Sequence, residues 1–150
     1  MIAVCIVTYN HESFIAQCIE SVLAQVCDEP IRIYIGDDAS TDGTSSVCRR
    51  YMEKDERIVY IRREKNTGLV SNTIDLYRRI MADGCEYIAM LDGDDYWIDA
   101  HKLQLQIDYL RAHPECGFIH SAAYEENDGN LSLPPQAPPT GDIHLRYNLL

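Results

Sequence analysis

An excess of positive charge is the first thing this chain lacks. Over 150 residues, 13 Lys and Arg stand against 24 Asp and Glu, a formal net charge of −11. Binding a phosphate backbone by charge needs the opposite balance, so the composition argues against a nucleic-acid partner. It does not argue against a diphosphate, because a divalent cation between two anions reverses the local charge logic. Paired cysteine spacings are missing too. Cys5, Cys18, Cys27, Cys48, Cys85 and Cys116 form no C-x-x-C, and most lie in apolar-periodic segments, which reads as reduced core thiols in a cytosolic protein. Long apolar runs are lacking as well. Met1 to Val7 is apolar but short, has no basic flank and breaks at Thr8, which fits neither a signal peptide nor a membrane span. The chain shows no internal repeat, and the expectation is a cytoplasmic protein. With 46% apolar residues, it has enough to build one core.

What is present alternates. Ile2 to Val7 reads as a central strand covered on both faces, followed by a helix on Ile15, Ile19, Val22, Leu23 and Val26, with Asn10 or His11 placed to cap it. Ile31 to Ile35 predicts a second strand, Gly36 to Gly43 a turn, and Thr44 to Lys54 a helix. Arg57 to Arg62 is a third strand. The next helix has Val70, Ile74, Tyr77 and Met81 on one face and stops at Gly84. Glu86 to Leu91 is a fourth strand, and a helix over about His101 to His113, with Leu103, Ile107 and Leu110 inward, ends at Pro114. Cys116 to Tyr124 reads as a fifth strand, and Glu125 to Gly141, with Pro134, Pro135, Pro138 and Pro139, as a loop. Such alternation predicts an α/β/α sandwich with a largely parallel sheet.

In open α/β sheets ligands bind beyond the carboxyl ends of the strands. Three polar clusters fall there. If the fourth strand stays extended, Asp92 and Asp94 point to one side. Two like charges so placed call for a cation, and a few hard oxygen ligands suit Mg2+ or Mn2+, which share a ligand's phosphates. Gly93 between them permits close approach of a ligand to the backbone. The plainer reading is an acidic turn that caps the next helix, with Asp95 as the cap. Adjacent Asp37 and Asp38 must face opposite sides, so one binds and the other braces. A carboxylate there is suited to accept the imide N–H of a pyrimidine, while Ser40, Thr41 and Asp42 are good caps for the helix that follows. Thr8, Tyr9 and Asn10 offer hydroxyls, an aromatic face and an amide at the end of the first strand, where a base can stack on Tyr9. His11 reads as a solvated helix-start histidine rather than a metal ligand.

In this order the three clusters resemble the family 2 glycosyltransferases of the GT-A (Rossmann-like) fold. The resemblance is carried by Val7-Thr8-Tyr9-Asn10 with Ser21-Val22-Leu23-Ala24-Gln25, by Asp37-Asp38-Ala39-Ser40-Thr41-Asp42-Gly43-Thr44, by Asn66-Thr67-Gly68 with Asn72, and by Asp92-Gly93-Asp94-Asp95-Tyr96-Trp97. Ala39 stands where the family usually has glycine, and Ser71 where many members have arginine. Lys102-Leu103 follows one residue later than is typical.

The resemblance implies a UDP-sugar donor site in which Thr8 and Tyr9 hold base and ribose and Asp38 reads the pyrimidine. It places Asp92 on the ribose or sugar side and Asp94 on an Mn2+ or Mg2+ ion, with Asn10, Asn72 and Gly93 also at the site. It further implies transfer with inversion to a glycan or lipid-linked acceptor in cell-surface polysaccharide biosynthesis, with the full-length protein peripheral at the inner face of the membrane. Residues 1–124 would form the nucleotide-sugar-binding part. Residues 125–150 would lead, through Gly141 to Leu150, towards an acceptor half holding the catalytic base beyond Leu150. The reading from another class is a non-catalytic nucleotide-binding or interaction domain of the same fold. A phosphoacceptor receiver domain has its acidic pair after the first strand, and a sugar nucleotidyltransferase needs glycine between Thr8 and Ser13, so neither fits.

Overall fold

The computed structural model describes residues 1–127 and 130–132. Four strands and three helices alternate in the order β1 (Ile2–Thr8), α1 (Ile15–Leu23), β2 (Ile31–Asp37), α2 (Thr44–Met52), β3 (Ile58–Arg62), α3 (Leu69–Ala82) and β4 (Tyr87–Asp92). They form a parallel sheet of order β3-β2-β1-β4, with helices flanking it. All seven residues of β1 are buried. That is what a strand paired on both edges and covered on both faces requires, and it is why the run from Ile2 to Val7 is continuous rather than alternating.

One side of β1, Ala3, Cys5 and Val7, packs with Tyr34 of β2 and with Leu76 and Ile80 of α3. The helix therefore buries a stripe through Asn72, Leu76 and Ile80; of the expected stripe through Val70, Ile74, Tyr77 and Met81, Tyr77 is half-buried against this cluster and the other three are exposed. Val70 is 70% and Met81 72% exposed. Both stripes have helical spacing, and periodicity cannot choose between them. Asn72 counts as inward because its amide is spent on the fold, donating to Gly36 O at 2.7 Å.

Other expectations are corrected at the boundaries. The first residue of α1 is preceded by Phe14, which makes no side-chain cap. Asn10 and His11 precede it in a turn, in which His11 O accepts the N–H of both Phe14 and Ile15 at 2.9 Å. Val26 lies beyond the helix and is exposed. At α2 the capping carboxylate is Asp42, which accepts Thr44 N–H at 3.0 Å and Thr44 Oγ1 at 2.6 Å.

The chain divides into two compact units, Met1–Gln104 and Leu105–Leu150. Helix α4 (Lys102–Ala112) includes the point of division, and Leu103 and Ile107 on it are buried. Asp95 lies well before the capping position of this helix, and Asp99 accepts His101 N–H at 2.8 Å instead. Residues 116–124 form no strand. Two short strands, β5 (Glu125–Asn127) and β6 (Asn130–Ser132), pair antiparallel where a loop is expected. The expected prolines from Pro134 onward and the segment from Gly141 to Leu150 lie outside the described residues.

None of the six cysteines is in a disulfide. Burial pushes the Cys5 and Cys48 thiols up to about 12 and the Cys18 thiol up as well. Thiolate is the reactive form, so these three should stay unmodified by a thiol-disulfide reagent at pH 8 in the native protein and react once it is denatured. Native-state labelling of Cys5 or Cys18, read by peptide mass, would contradict this packing.

Candidate functional site

The register of the sheet builds the site. Thr8 lies level with Asp37 and Val7 with Asp92, so three strands end along one line. Two backbone bonds from the end of β1 then fix its neighbours. Thr8 O accepts Asp38 N–H at 3.0 Å on one side, and Val7 O accepts Gly93 N–H at 2.9 Å on the other. Asp38 and Asp92 thus flank β1, two strand spacings or about 10 Å apart.

They open onto one cleft of about 340 Å³, lined by Val7, Thr8, Tyr9, His11, Asp38, Asn66, Gly68, Leu69, Asn72, Asp92 and Asp94. Of the residues marked in the sequence, Thr8, Tyr9, Asp38, Asn72, Asp92 and Asp94 are on its wall. Asn10 and Gly93 are not. Asn10 is held in the left-handed region (φ 57), and its amide oxygen accepts Thr41 N–H at 2.8 Å. Asn66 and Gly68, which belong to the segment that carries the resemblance but are not among the marked site residues, and Leu69, which has no signal of its own, are on the wall as well.

The first two clusters are laced to each other. Asn10 N–H donates to Ser40 Oγ at 3.0 Å, His11 N–H to Thr44 Oγ1 at 2.9 Å, and Glu12 N–H to Asp42 Oδ2 at 3.1 Å. In return Gly43 N–H donates to Glu12 Oε2 at 2.9 Å. This lattice uses most of the polar residues in both loops, which explains why each segment also reads as a helix start.

Asp37 and Asp38 divide their labour. Asp37 is fully buried and braces, accepting Ser40 N–H at 2.8 Å and Tyr60 O–H at 2.6 Å. Asp38 is 3% exposed and on the cleft wall. It also braces, accepting Thr67 N–H at 2.9 Å and Oγ1 at 3.2 Å on one oxygen, and Gly68 N–H at 2.7 Å on the other. A carboxylate has about four lone-pair sites, so one remains on Oδ2 for a ligand donor. Arg63, unmarked in the sequence, stands behind it at 3.7 Å while donating to Asn72 Oδ1 and Ser71 O. No local pattern distinguishes Arg63 from the neighbouring Arg62.

The third cluster departs from the premise of an extended strand. β4 ends at Asp92, and Asp95 N–H turns back to Asp92 O at 3.0 Å. Asp92 and Asp94 are nevertheless both exposed and both on the cleft wall. Asp95 carries a carboxyl held above its ordinary range, first by desolvation and then by Asp94 and Asp92. The segment beyond is held by α1 and its exit: Ser21 Oγ accepts Trp97 N–H at 3.1 Å, and Gln25 spans Asp99 O at 2.8 Å and Leu103 N–H at 3.1 Å.

Three carboxylates line the cleft, and among the described residues no lysine or arginine does. Nor do three His, Cys, Asp or Glu side chains converge to hold an ion on their own. Thr8 Oγ1 and His11 Nδ1 are buried without a hydrogen-bond partner. The residues fit a cation of the Mg2+ or Mn2+ kind, which takes one or two carboxylates and completes its shell with water and a ligand's phosphates.

The family model described as "Glycosyl transferase family 2" matches residues 3–148. The chain belongs to this family. Among relatives, it is 33% identical over 140 residues to the Escherichia coli UDP-Glc:alpha-D-GlcNAc-diphosphoundecaprenol beta-1,3-glucosyltransferase WfaP, covering 91% of this chain and 53% of that one. Solved structures share the fold. S. aureus TarS 1-349 in complex with UDP-GlcNAc superposes with a TM-score of 0.65 at 25% identity, covering 75% of this chain and 32% of that one. The mannosyltransferase PcManGT from Pyrobaculum calidifontis, in complex with GDP-Man and Mn2+, superposes with a TM-score of 0.66 at 25% identity, covering 77% and 33%. The chain thus spans a third to a half of these proteins, and its sheet is the GT-A type expected from the resemblance.

Ala39, the departure from the family's usual glycine, keeps the left-handed backbone (φ 64). That conformation costs an L-residue about 1–2 kcal/mol, and glycine's extra chain entropy offsets roughly 0.5–1 kcal/mol of any gain. Ala39→Gly should therefore stabilise the protein by about 0.5–1 kcal/mol. A urea midpoint that fails to rise would contradict the strained turn.

Proposed function

We propose that this chain carries the donor site of a metal-dependent, inverting glycosyltransferase that uses a nucleoside-diphosphate sugar, with UDP as the nucleotide. The observation that carries the reading is the cleft itself. Its wall presents Asp38 on one side of β1 and Asp92 with Asp94 on the other, and, among the described residues, no lysine or arginine. A diphosphate has no counter-charge there except a cation, and Asp94 and Asp92 are the residues to hold one. When bound, the ion neutralises charge that develops on the leaving diphosphate.

The chain's own residues supply the rest. Tyr9, 42% exposed at the mouth, offers a face for the base. Asp38 keeps one lone pair for the imide N–H, and the backbone bonds from Thr67 and Gly68 fix the direction in which it points. Thr8 presents a hydroxyl with no protein partner, suited to the ribose or a bound water. Asn72 on the wall is anchored to Gly36 O, and Arg63 behind it donates to Asn72 while standing 3.7 Å from Asp38. Gly93, tucked under Thr8 and His11, lets the two acidic residues sit close to the end of β1.

None of these groups is assigned the removal of the acceptor's proton. That role, the acceptor wall and the choice of acceptor belong, in this proposal, to protein beyond the donor part, since the relatives are two to three times the matched length. WfaP is named for a diphosphoundecaprenol-linked acceptor, which supports a lipid-linked glycan acceptor and a role in cell-surface polysaccharide synthesis. Among the described residues no helix is long and apolar enough to cross a membrane.

Calorimetric titration with UDP tests the reading. Mn2+ should strengthen binding to the wild type, and Asp94→Ala should remove that gain. Asp38→Ala should weaken binding with or without metal by roughly 1.5–3 kcal/mol, the worth of a hydrogen bond to a charged group, or about ten- to a hundredfold. Equal enhancement by Mn2+ in wild type and Asp94→Ala would remove the metal from that residue.

A further inference from the structure

His11 has a ring that the fold does not use. Its main chain is committed, the N–H to Thr44 Oγ1 and the carbonyl to the first turn of α1. The side chain instead lies on the cleft wall, with Nε2 3.8 Å from Asp94 Oδ2 and Nδ1 buried without a partner. Room for it is made by a particular residue. A Cβ at Gly93 would stand 2.8 Å from His11 Nδ1 and 2.8 Å from Thr8 Oγ1, and real Cβ atoms do not approach so closely. The glycine between the two acidic residues therefore admits the imidazole and the threonine together.

Beside it, Thr8 is 3% exposed, and its Oγ1 has no partner. Leaving a buried hydroxyl unsatisfied is costly, and a metal-bound water or a ligand oxygen is the group that would satisfy it in this acidic cleft. The separation of His11 and Asp94 also suits an ion. Donors about 2.1 Å from a common octahedral cation stand about 3.0 Å apart when cis and about 4.2 Å apart when trans, so Nε2 and Asp94 Oδ2, 3.8 Å apart, come within reach of one ion by a side-chain shift of less than about 1 Å.

We propose that His11 is a ligand of the cation. Its Nε2 and Asp94 Oδ2 hold one divalent ion, whose remaining positions are filled by the diphosphate and water. This assignment rests on the donor-site reading above. Among the described residues no three His, Cys, Asp or Glu side chains converge on a point, so the diphosphate and water must supply most of the ion's shell. Imidazole nitrogen is a softer donor than carboxylate oxygen, so its presence favours Mn2+ and the later transition metals over Mg2+.

The competing account is a plain ion pair between protonated His11 and Asp94. Under it, removing the imidazole frees Asp94, and metal-supported binding does not weaken. The test uses the 150-residue chain, UDP as the probe, and either Mn2+ or Mg2+, with wild type, His11→Ala and His11→Gln compared by calorimetry. Pulsed electron paramagnetic resonance of the Mn2+–UDP complex then reports nitrogen coupling from an imidazole ligand. Loss of an outer-shell partner alone costs about 10–100-fold in metal affinity. Both variants should therefore lose at least about tenfold in Mn2+-supported UDP binding, lose less with Mg2+, and keep metal-free binding, which also reports that they fold. Nitrogen coupling should be present in the wild type and gone in both variants.

Unchanged or tighter Mn2+-supported binding in His11→Ala, an equal loss with both metals, or no nitrogen coupling in the wild type would overturn the assignment and leave the donor site standing. No metal-supported UDP binding in the wild type would instead fail the donor-site reading, and this assignment with it.

Discussion

The parallel pairing of β1 with both of its neighbours is the constraint on which the rest depends. Seven consecutive buried residues must give their N–H and C=O groups to β2, to β4 and to the residues at the ends of those strands, because water is not available to them. That need sets the register, and the register brings Thr8, Asp37 and Asp92 to one edge of the sheet. The last two carbonyls of the strand then reach sideways to Asp38 and Gly93. Two acidic clusters more than 50 residues apart in sequence become the two walls of one cleft through bonds that involve no side chain at all.

Around that line, polar side chains are spent mainly on holding loops. Asp37, Asp42, Glu12, Ser40, Thr44 and Gln25 all complete hydrogen bonds that the fold itself requires. Asp38 does so on three of its acceptor sites and keeps one. What is left over is informative: Asp92 and Asp94 exposed to the cleft, His11 Nε2 turned towards Asp94, and Thr8 Oγ1 buried without a partner. Side chains whose needs the protein does not meet mark where a ligand has work to do.

Much of this was legible in the chain before any coordinates. The unbroken run from Ile2 to Val7 announced a central strand, and adjacent Asp37 and Asp38 had to face opposite ways because side chains alternate, Asp37 towards Tyr60 and Asp38 towards the cleft. The face of α3 was not legible, since Val70, Ile74 and Met81 repeat at the same period as Asn72, Leu76 and Ile80, and only the hydrogen bond of Asn72 to Gly36 decides which stripe is inward. Cys116 to Tyr124 has strand composition, but composition cannot supply a pairing partner. His11 was passed over because a histidine at a helix start is ordinary. What sets it apart is the space above Gly93, a tertiary fact. Arg63 was invisible for the same reason, its contacts with Asp38 and Asn72 being made across the fold.

The central claim is that the two acidic walls grip a single nucleotide with its cation, and diffraction tests it most directly. Crystals grown with UDP and Mn2+, with data collected at the manganese absorption edge, should show one anomalous peak against Asp94 and the uracil ring against Asp38 and Tyr9. A nucleotide bound elsewhere, or a manganese peak distant from Asp94, would contradict the account.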